Sequence, residues 1–200
     1  NYNNLPTKTT DIKKFDQEYA YRPYELKGYF DHTKEILVKT QRDGEDGYQV
    51  ITPFYCYTDK DGKEQALLID RGWITPEWAE KKLHYNGAVG PQTIHGIFFK
   101  GDSSNKYSRN NESFDNKWNV VKPDQIATYL LMDNRDVASK YIVKQVIMNP
   151  LEKNAFPLTM NVEDVSNWPV PANINMNYSS LWFGATFLNI FGNVFLWLYL

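Results

Sequence analysis

The sequence has a single cysteine and no excess of basic residues. One cysteine cannot form an internal disulfide, and Cys56 lies among alternating aromatic residues, which favours a buried structural thiol over a nucleophile. The 22 lysines and arginines are balanced by 24 aspartates and glutamates, for a net charge of -2. Nucleic-acid-binding domains carry a basic patch or stripe, and here both signs are mixed along the chain. The composition therefore indicates no nucleic-acid partner.

The motifs of common catalytic sites are also missing. The three histidines, His32, His84 and His95, lack paired metal-ligand spacing, and there is neither a Gly-x-Ser-x-Gly turn nor a Walker phosphate loop. Residues 59–62 begin like a calcium loop but lack the later ligands, so we interpret them as a hairpin turn. The sequence predicts a protein that is not an enzyme and binds no metal ion.

What the sequence does have is one long hydrophobic run at its end. Residues 178–200 carry no charged side chain, and a helix of about 23 residues rises about 35 Å, more than a hydrocarbon core of about 30 Å. Aromatic residues lie near both ends, where rings favour the water interfaces: Tyr178, Trp182, Trp197 and Tyr199. We expect a transmembrane helix in contact with lipid, in preference to a buried core helix.

One side of the predicted helix is small and polar. At 100° per residue, Gly184, Ala185, Asn189, Gly192 and Asn193 fall on one half of it. Small residues let helices approach closely in lipid, and an asparagine amide seeks a partner there. This face predicts contact with another protein or with a segment preceding Asn1. The alternative is that both asparagines hydrogen-bond to their own helix backbone.

The residues ahead of this helix follow the pattern of a β-rich domain. Runs of β-branched and aromatic residues between polar turn clusters predict consecutive antiparallel strands over residues 24–30, 35–39, 48–57 and 65–74, then 93–100 and 141–148. Thr75 as N-cap and Pro76 at the first helical position predict a helix to about Tyr85, ended by Gly87. Residues 123–132 predict a second short helix.

The predicted fold class is therefore β-rich α+β, with an antiparallel β domain, a few short helices and a C-terminal transmembrane helix. Residues 101–117 are too polar to hold a core and form a loop. We predict an N-terminal connection over residues 1–20, a β-rich domain over 21–172, and a membrane entry with transmembrane helix over 173–200.

A cation, a glycine and an indole end the most apolar strand. Arg71 and Trp73 are two apart, so on a regular strand both point to one face and the guanidinium can lie against the indole. Gly72 leaves the other face bare, which allows a bulge or the close approach of another backbone. The corner is either a rigid closure of the domain or a docking surface for a partner.

The order of these segments resembles the SURF1 family of cytochrome c oxidase assembly proteins. The resemblance is carried by Gly47-Tyr-Gln-Val-Ile-Thr-Pro-Phe54, Leu67-Leu-Ile-Asp-Arg-Gly-Trp-Ile74, Gly96, Trp118 and Asn173-Ile-Asn-Met-Asn-Tyr-Ser-Ser-Leu-Trp-Phe-Gly184, and it extends from about Tyr21 to the anchor. It implies a β-rich domain facing the intermembrane or periplasmic space between two membrane helices, the first of them preceding Asn1. It also implies a role in building the core subunit of the oxidase, which contains haem a and copper.

Two positions depart from the family pattern. Asn175 occupies the place of a histidine that is the suggested haem a contact in bacterial members, and a carboxamide has no imidazole nitrogen for iron. Asp70 stands where asparagine is usual, and it can pair with Arg71 or another base. We therefore predict no cofactor, although the resemblance leaves haem a possible.

The resulting hypothesis is a mitochondrial inner-membrane protein whose soluble domain faces the intermembrane space. It binds cytochrome c oxidase subunits and membrane lipid, in assembly or as an accessory subunit without catalysis. Its predicted partner-binding residues are Arg71, Gly72, Trp73, Tyr178, Trp182, Gly184, Asn189, Gly192 and Asn193. One alternative is a haem a chaperone with another ligand, and a second is a single-pass secretory module glycosylated on Asn111.

Overall fold

The computed structural model describes residues 7–8, 23–58, 61–82, 90–99, 101, 110–133, 138–148, 157–161 and 172–199. The chain divides into two compact units, Asn1–Val162 and Glu163–Leu200. The described part of the first unit contains β1 (Thr7–Lys8), β2 (Pro23–Phe30), β3 (Ile36–Arg42), β4 (Glu45–Thr58), β5 (Glu64–Ile74), α1 (Pro76–Glu80), β6 (Gln92–Phe99), α2 (Pro123–Tyr129), β7 (Ile142–Ile147) and β8 (Met160–Asn161).

The strands of the first unit form one mixed sheet that closes on itself. Their order is β1-β2-β6-β7-β5-β4-β3, and β8 pairs with β7. β2 also pairs with β4, with Tyr29 opposite Tyr55 and Phe30 opposite Phe54. This extra pairing joins β2, β6, β7, β5 and β4 into a ring, and it leaves β3 outside the ring along β4. Closure removes the free strand edges of the ring.

The predicted β-rich class is confirmed, whereas the strand directions are only mostly antiparallel. β3–β4 and β4–β5 pair antiparallel, but β5–β7, β1–β2 and β7–β8 pair in parallel. A parallel pair needs a long crossover, and α1, β6 and α2 all lie between β5 and β7. The prediction of antiparallel pairs throughout was wrong for these three pairs, because strands that are neighbours in the sequence are not always neighbours in the sheet.

β5 is buried on both faces, which explains its uninterrupted apolar run. Leu67 and Ile69 belong to one core, with residues from β2, β4, β6 and β7. Ala66 and Leu68 point the other way, into a second core that includes Trp118 and the buried side of α2. Alternate side chains of one strand thus fill two cores, and a strand covered on both faces reads as continuously hydrophobic.

The short elements begin where their capping residues predict. Thr75 Oγ1 accepts the backbone N–H of Trp78, and Pro76 is the first residue of α1. α1 ends at Glu80, earlier than predicted, and Lys82 has a left-handed φ of 51°. The predicted stop at Gly87 lies outside the described residues. β3 and β4 are longer than predicted, because their polar ends pair around a two-residue turn at Asp43 and Gly44.

The second unit is described as one helix, α3, over Ala172–Tyr199. It begins earlier than predicted, since the absence of charge marks the apolar run and not the polar residues that lead into it. The segment Tyr178–Tyr199 is long and apolar enough to cross a membrane, with a mean hydropathy of 1.5, and none of it is buried against the chain. The predicted transmembrane helix is thereby supported by length, composition and exposure.

Candidate functional site

β5 contains a bulge at the predicted Arg71–Gly72 corner. Trp73 pairs with Gln49 and Asp70 with Ile51, so β5 has one residue more than β4 across this interval. Gly72 has φ +126°, and a Cβ there would overlap the backbone of Leu158. Both features that the glycine was predicted to allow, a bulge and a close backbone approach, are therefore confirmed.

The segment 157–161 is the backbone that approaches Gly72. Trp73 N donates to Leu158 O at 3.2 Å, and Leu158 N donates to Trp73 O at 2.8 Å. Thr159 Oγ1 donates to Arg71 O at 2.9 Å. Arg42, at the end of β3, donates from Nη1 to the same Leu158 carbonyl at 3.1 Å. The corner thus joins β5, β3 and the segment before the second unit.

Arg71 forms a buried ion pair with Glu35. Its Nη1 donates to Glu35 Oε2 at 2.9 Å, and the two side chains are 8% and 1% exposed. Thr52 Oγ1 donates to the same carboxylate oxygen at 2.7 Å. The guanidinium carbon lies 5.1 Å from the centroid of the Phe30 ring. We call Phe30, His32, Glu35, Thr52 and Arg71 the Arg71 cluster.

His32 places a neutral imidazole beside this pair. Its Nδ1 is 3.3 Å from Arg71 Nη1 and 3.6 Å from Glu35 Oε2. A guanidinium can only donate, so Nδ1 accepts from Arg71 in the tautomer that carries its proton on Nε2. Burial, followed by the charge of Arg71, lowers the pKa of His32. Burial also lowers the pKa of Arg71, which the carboxylate of Glu35 opposes. The cluster is built to hold one cation and one carboxylate together.

The ring that Arg71 covers differs from the one predicted from regular alternation. The guanidinium lies over Phe30, because the bulge interrupts the two-residue period between positions 71 and 73. The indole of Trp73 lies against Gly47, where a Cβ would overlap it. Asp70 accepts from Gly72 N at 3.1 Å and from Gln49 Nε2 at 3.2 Å.

Arg71 and Trp73 are each only 7% exposed. Their contacts stabilise the corner of the isolated domain, and a partner would reach them only through the residues that cover them. A docking role for Arg71, Gly72 and Trp73 stays a prediction. Cys56 lies at the other bulge of the β4–β5 pair, and burial raises the pKa of its thiol to about 12, so it is protonated and unreactive at neutral pH.

The small, polar face of α3 is exposed and carries a hydrogen-bonded asparagine pair. Asn193 Nδ2 donates to both the backbone O and the side-chain Oδ1 of Asn189, each at 2.7 Å. The alternative prediction, that the asparagines hydrogen-bond within their own helix, therefore holds for the side-chain amide nitrogen of Asn193. A Cβ at Gly184 or Gly192 would meet nothing within 4 Å. Tyr178 and Trp182 are exposed as well.

The opposite side of α3 carries a row of aromatic rings. Phe187 and Phe191 have centroids 4.3 Å apart, and Phe195 and Tyr199 are 4.4 Å apart. These residues recur every four positions, as do Ala185, Asn189 and Asn193 on the other side. Two rows of different chemistry thus lie on one exposed helix, and contact of the small, polar row with a protein stays a prediction.

A histidine-ligated haem does not fit the residues of this chain at the family position. Asn175 lies in the backbone of α3, and its carboxamide supplies no imidazole nitrogen. Among the described ranges, no group of three or more His, Cys, Asp or Glu residues could hold a metal ion.

Several structural residues were missed from the sequence. Glu35 and His32 lie 36 and 39 positions from Arg71, and no local pattern links residues so far apart.

Asn111 was noted only as a glycosylation acceptor. Its Oδ1 accepts from the backbone of Asn119 and Val120, and its Nδ2 donates to Val120 O and Gln125 Oε1. A glycan on Nδ2 would disrupt this clamp, which argues against the secretory alternative.

These features define a class of protein, a closed β domain joined to an exposed helix of membrane-spanning length. Within that class the chain belongs to the SURF1 family, whose model matches residues 2–187. The resemblance inferred from the ordered motifs is thereby confirmed.

Curated relatives support the same assignment. The chain is 28% identical over 127 residues to Surfeit locus protein 1 of Xenopus tropicalis, which is 55% of this chain and 40% of that protein. It is 32% identical over 77 residues to the cytochrome oxidase assembly protein SHY1 of Saccharomyces cerevisiae, 38% of this chain and 19% of SHY1. It is 21% identical over 161 residues to a SURF1-like protein of Rickettsia bellii, 74% and 64% of the two chains. The chain thus spans less than two thirds of the length of each.

Proposed function

We propose that this protein is a non-catalytic membrane protein that binds components of cytochrome c oxidase, in assembly or as an accessory subunit. The observation that carries the proposal is the family match over residues 2–187, which includes both the β domain and most of α3. The name of the yeast relative, cytochrome oxidase assembly protein, supports the choice of partner.

Our model of the binding mode uses the exposed helix. α3 spans the mitochondrial inner membrane, with the β domain in the intermembrane space, and its small, polar face contacts a membrane helix of the oxidase. Gly184 and Gly192 are open to close approach, and the Asn189–Asn193 pair retains amide groups that a partner helix can satisfy. Tyr178 and Trp182 anchor one interface. The buried Arg71 and Trp73, with the half-buried Gly72 between them, hold the corner of the domain in shape.

The protein itself is proposed to perform no turnover. Among the described residues, Arg71 and Thr52 both bond to one carboxylate oxygen of the buried Glu35, an arrangement that suits a structural role. The asparagine at position 175 favours docking over haem handling.

The test is co-migration of the tagged full chain with oxidase subunits on blue-native gels of the source membranes, followed by mass spectrometry. We expect oxidase subunits in the same band. A pulse-chase separates the two roles, because an assembly factor co-migrates only with early intermediates, whereas an accessory subunit remains with the mature enzyme. Recovery of the chain wholly apart from oxidase subunits would overturn the proposal.

A further inference from the structure

An open cavity of about 580 Å³ lies along β3, the last strand in the sheet order. Its size falls within the range of about 300–1,000 Å³ typical of ligand sites. No residue of the Arg71 cluster lines this cavity. Its lining also contains none of the partner-binding residues that were predicted from the sequence. Its lining includes Lys39 and Gln41 of β3, Asp46 and Tyr48 of β4, and Asn119.

The backbone of β3 presents unpaired groups to this cavity. β3 and β4 meet at the two-residue turn of Asp43 and Gly44, so the flanking pair Arg42–Glu45 is hydrogen-bonded across the strands. Bonded and non-bonded pairs alternate in an antiparallel ladder. Gln41 and Lys39 therefore direct their backbone groups away from β4.

The chain itself shows that this edge accepts a strand. Lys39 N donates to Trp118 O at 2.9 Å, in a parallel bridge between Val38 and Trp118. The chain then turns away at Asn119, whose side chain and backbone bond to Asn110 and Asn111. Within the described ranges, no backbone group hydrogen-bonds to the Lys39 carbonyl or to the N–H and carbonyl of Gln41.

The side chains around the open edge favour an acidic occupant. Lys39 lies opposite Tyr48 on the same face of the sheet, and neither side chain forms a hydrogen bond or ion pair with the described residues. Asp46, the carboxylate in the lining, already accepts from Gln41 Nε2 at 2.7 Å. The cavity thus offers one unpaired cation and one unpaired hydroxyl beside the open backbone groups.

We propose that this edge of β3 binds an extended peptide segment of a partner protein by strand addition, with an acidic side chain of the segment reaching Lys39 and Tyr48. Main-chain hydrogen bonds give such sites their affinity, and flanking side chains give specificity. The inference does not depend on the partner being an oxidase subunit. It adds a second binding surface to that of α3.

The test uses the full chain in lipid nanodiscs and a phage-displayed library of random octapeptides. Two variants of one residue separate backbone from side chain. Gln41→Pro and Gln41→Ala both lose the amide that bonds Asp46, but only Gln41→Pro loses the outward N–H. Proline is tolerated at an edge position whose N–H faces outward, and near-UV circular dichroism checks that each variant is folded.

We expect selection of peptides with an acidic residue that bind the wild-type and Gln41→Ala chains similarly and the Gln41→Pro chain about tenfold more weakly. Lys39→Gln should weaken binding and reduce its dependence on salt. If Gln41→Pro is not folded, the same peptides are N-methylated on alternate residues, and binding to the wild-type chain should fall about tenfold. Failure to enrich any peptide over empty nanodiscs, or undiminished binding after loss of these N–H groups, would overturn the proposal.

Discussion

Gly72 is the residue on which the corner of the domain depends most directly. It combines a φ of +126°, which side-chain-bearing residues rarely adopt, with a Leu158 backbone that leaves no room for a Cβ. These two constraints have separate costs. The first is local strain of about 1–3 kcal/mol, and the second is displacement of the segment 157–161.

Gly72→Ala should therefore destabilise the β domain more than strain alone would do. Gly62→Ala is the matched control, because Gly62 also has a positive φ, +79°, but nothing lies within 4 Å of its Cβ position. We expect Gly62→Ala to cost about 1 kcal/mol and Gly72→Ala at least about 2 kcal/mol more. Thermal unfolding of the full chain in detergent measures both, at about 2–4 °C per kcal/mol. Equal losses of stability in the two variants would show that the segment 157–161 moves away from a Cβ at position 72 at no measurable cost.

His32 should make the stability of the domain depend on pH. Its ordinary pKa of 6.5 is lowered in the folded state by burial and by Arg71, while Glu35 and Asp31 act in the opposite direction. Because the unfolded chain binds the proton more tightly, the free energy of unfolding falls as pH drops below about 6.5, until the folded-state pKa is passed.

The measurement is the melting temperature between pH 5 and 8 for the wild type and for His32→Asn, whose Oδ1 can accept from Arg71 in place of Nδ1. The difference between the two proteins isolates His32 from the other titrating groups. We expect the variant to lose part of the decrease on the acid side. Parallel pH profiles would mean that His32 has the same pKa folded and unfolded.

Sequence reasoning identified the residues of the corner but not their partners. The glycine was recognised because a positive φ or a close approach is the usual reason for glycine in a strand. The pairing of Arg71 with Glu35 depends on bringing β3 beside β5, and the stacking on Phe30 depends on a bulge. Both are tertiary facts without a local signature.

At the scale of the element, the C-terminus of α2 carries an unusual residue. Met132 N donates to Ala127 O and Leu131 N to Thr128 O, the two bonds of a Schellman cap. The residue in the left-handed position is Leu131, with φ 52°, where glycine is usual. Its side chain is 75% exposed, so little burial offsets the strain.

Leu131→Gly should consequently stabilise the domain by about 0.5–1 kcal/mol, since glycine removes a left-handed penalty of about 1–2 kcal/mol and adds some backbone entropy to the unfolded state. Leu130→Gly is the control, because Leu130 has an ordinary helical φ of -78° and no strain to relieve. Thermal unfolding should show a higher melting temperature for the first variant and a lower one for the second. A loss of stability in Leu131→Gly would indicate that the exposed leucine makes a contact in the folded chain.

The two sides of α3 should differ in their effect on association. Gly192→Ile adds a bulky side chain to the small, polar face, where the isolated chain leaves open space, so the helix itself should tolerate it. Leu188→Ile is the control, because Leu188 is also exposed on α3 and the substitution preserves the side-chain volume. On blue-native gels we expect Gly192→Ile to abolish or weaken co-migration with oxidase subunits and Leu188→Ile to leave it intact. Equal co-migration of both variants would remove this face from the binding model.

Elements were predictable in proportion to how much of their signal is local. Thr75 and Pro76 mark the start of α1, and alternating or continuous apolar runs mark each long strand. The boundaries of β3 and β4 were missed because Asp43 and Gly44, both with positive φ, turn the chain in two residues, so the polar residues around them pair as strand. α1 was predicted too long because its left-handed end at Lys82 carries no glycine signal.

On the scale of the whole molecule, ring closure was beyond local sequence reasoning. It rests on two residue pairs between β2 and β4, strands separated by the whole of β3. The parallel pairing of β5 with β7 similarly joins strands with α1, β6 and α2 between them. The hydrophobic end, by contrast, was recognisable at once, because spanning a bilayer imposes a length and a composition that a sequence displays directly.

That same constraint makes the strongest prediction about the whole chain, namely that it resists extraction from membranes by alkaline carbonate. The span Tyr178–Tyr199 has no buried residues in the chain, so its apolar surface must be covered by lipid or protein. Phe187→Lys combined with Phe191→Lys raises the insertion free energy by about 3 kcal/mol at each site, which should release the chain into the supernatant. Phe187→Leu with Phe191→Leu keeps the span apolar and should remain in the pellet. If the wild-type chain itself is extracted, α3 does not span a membrane, and the proposed binding to the oxidase would have to proceed through the β domain.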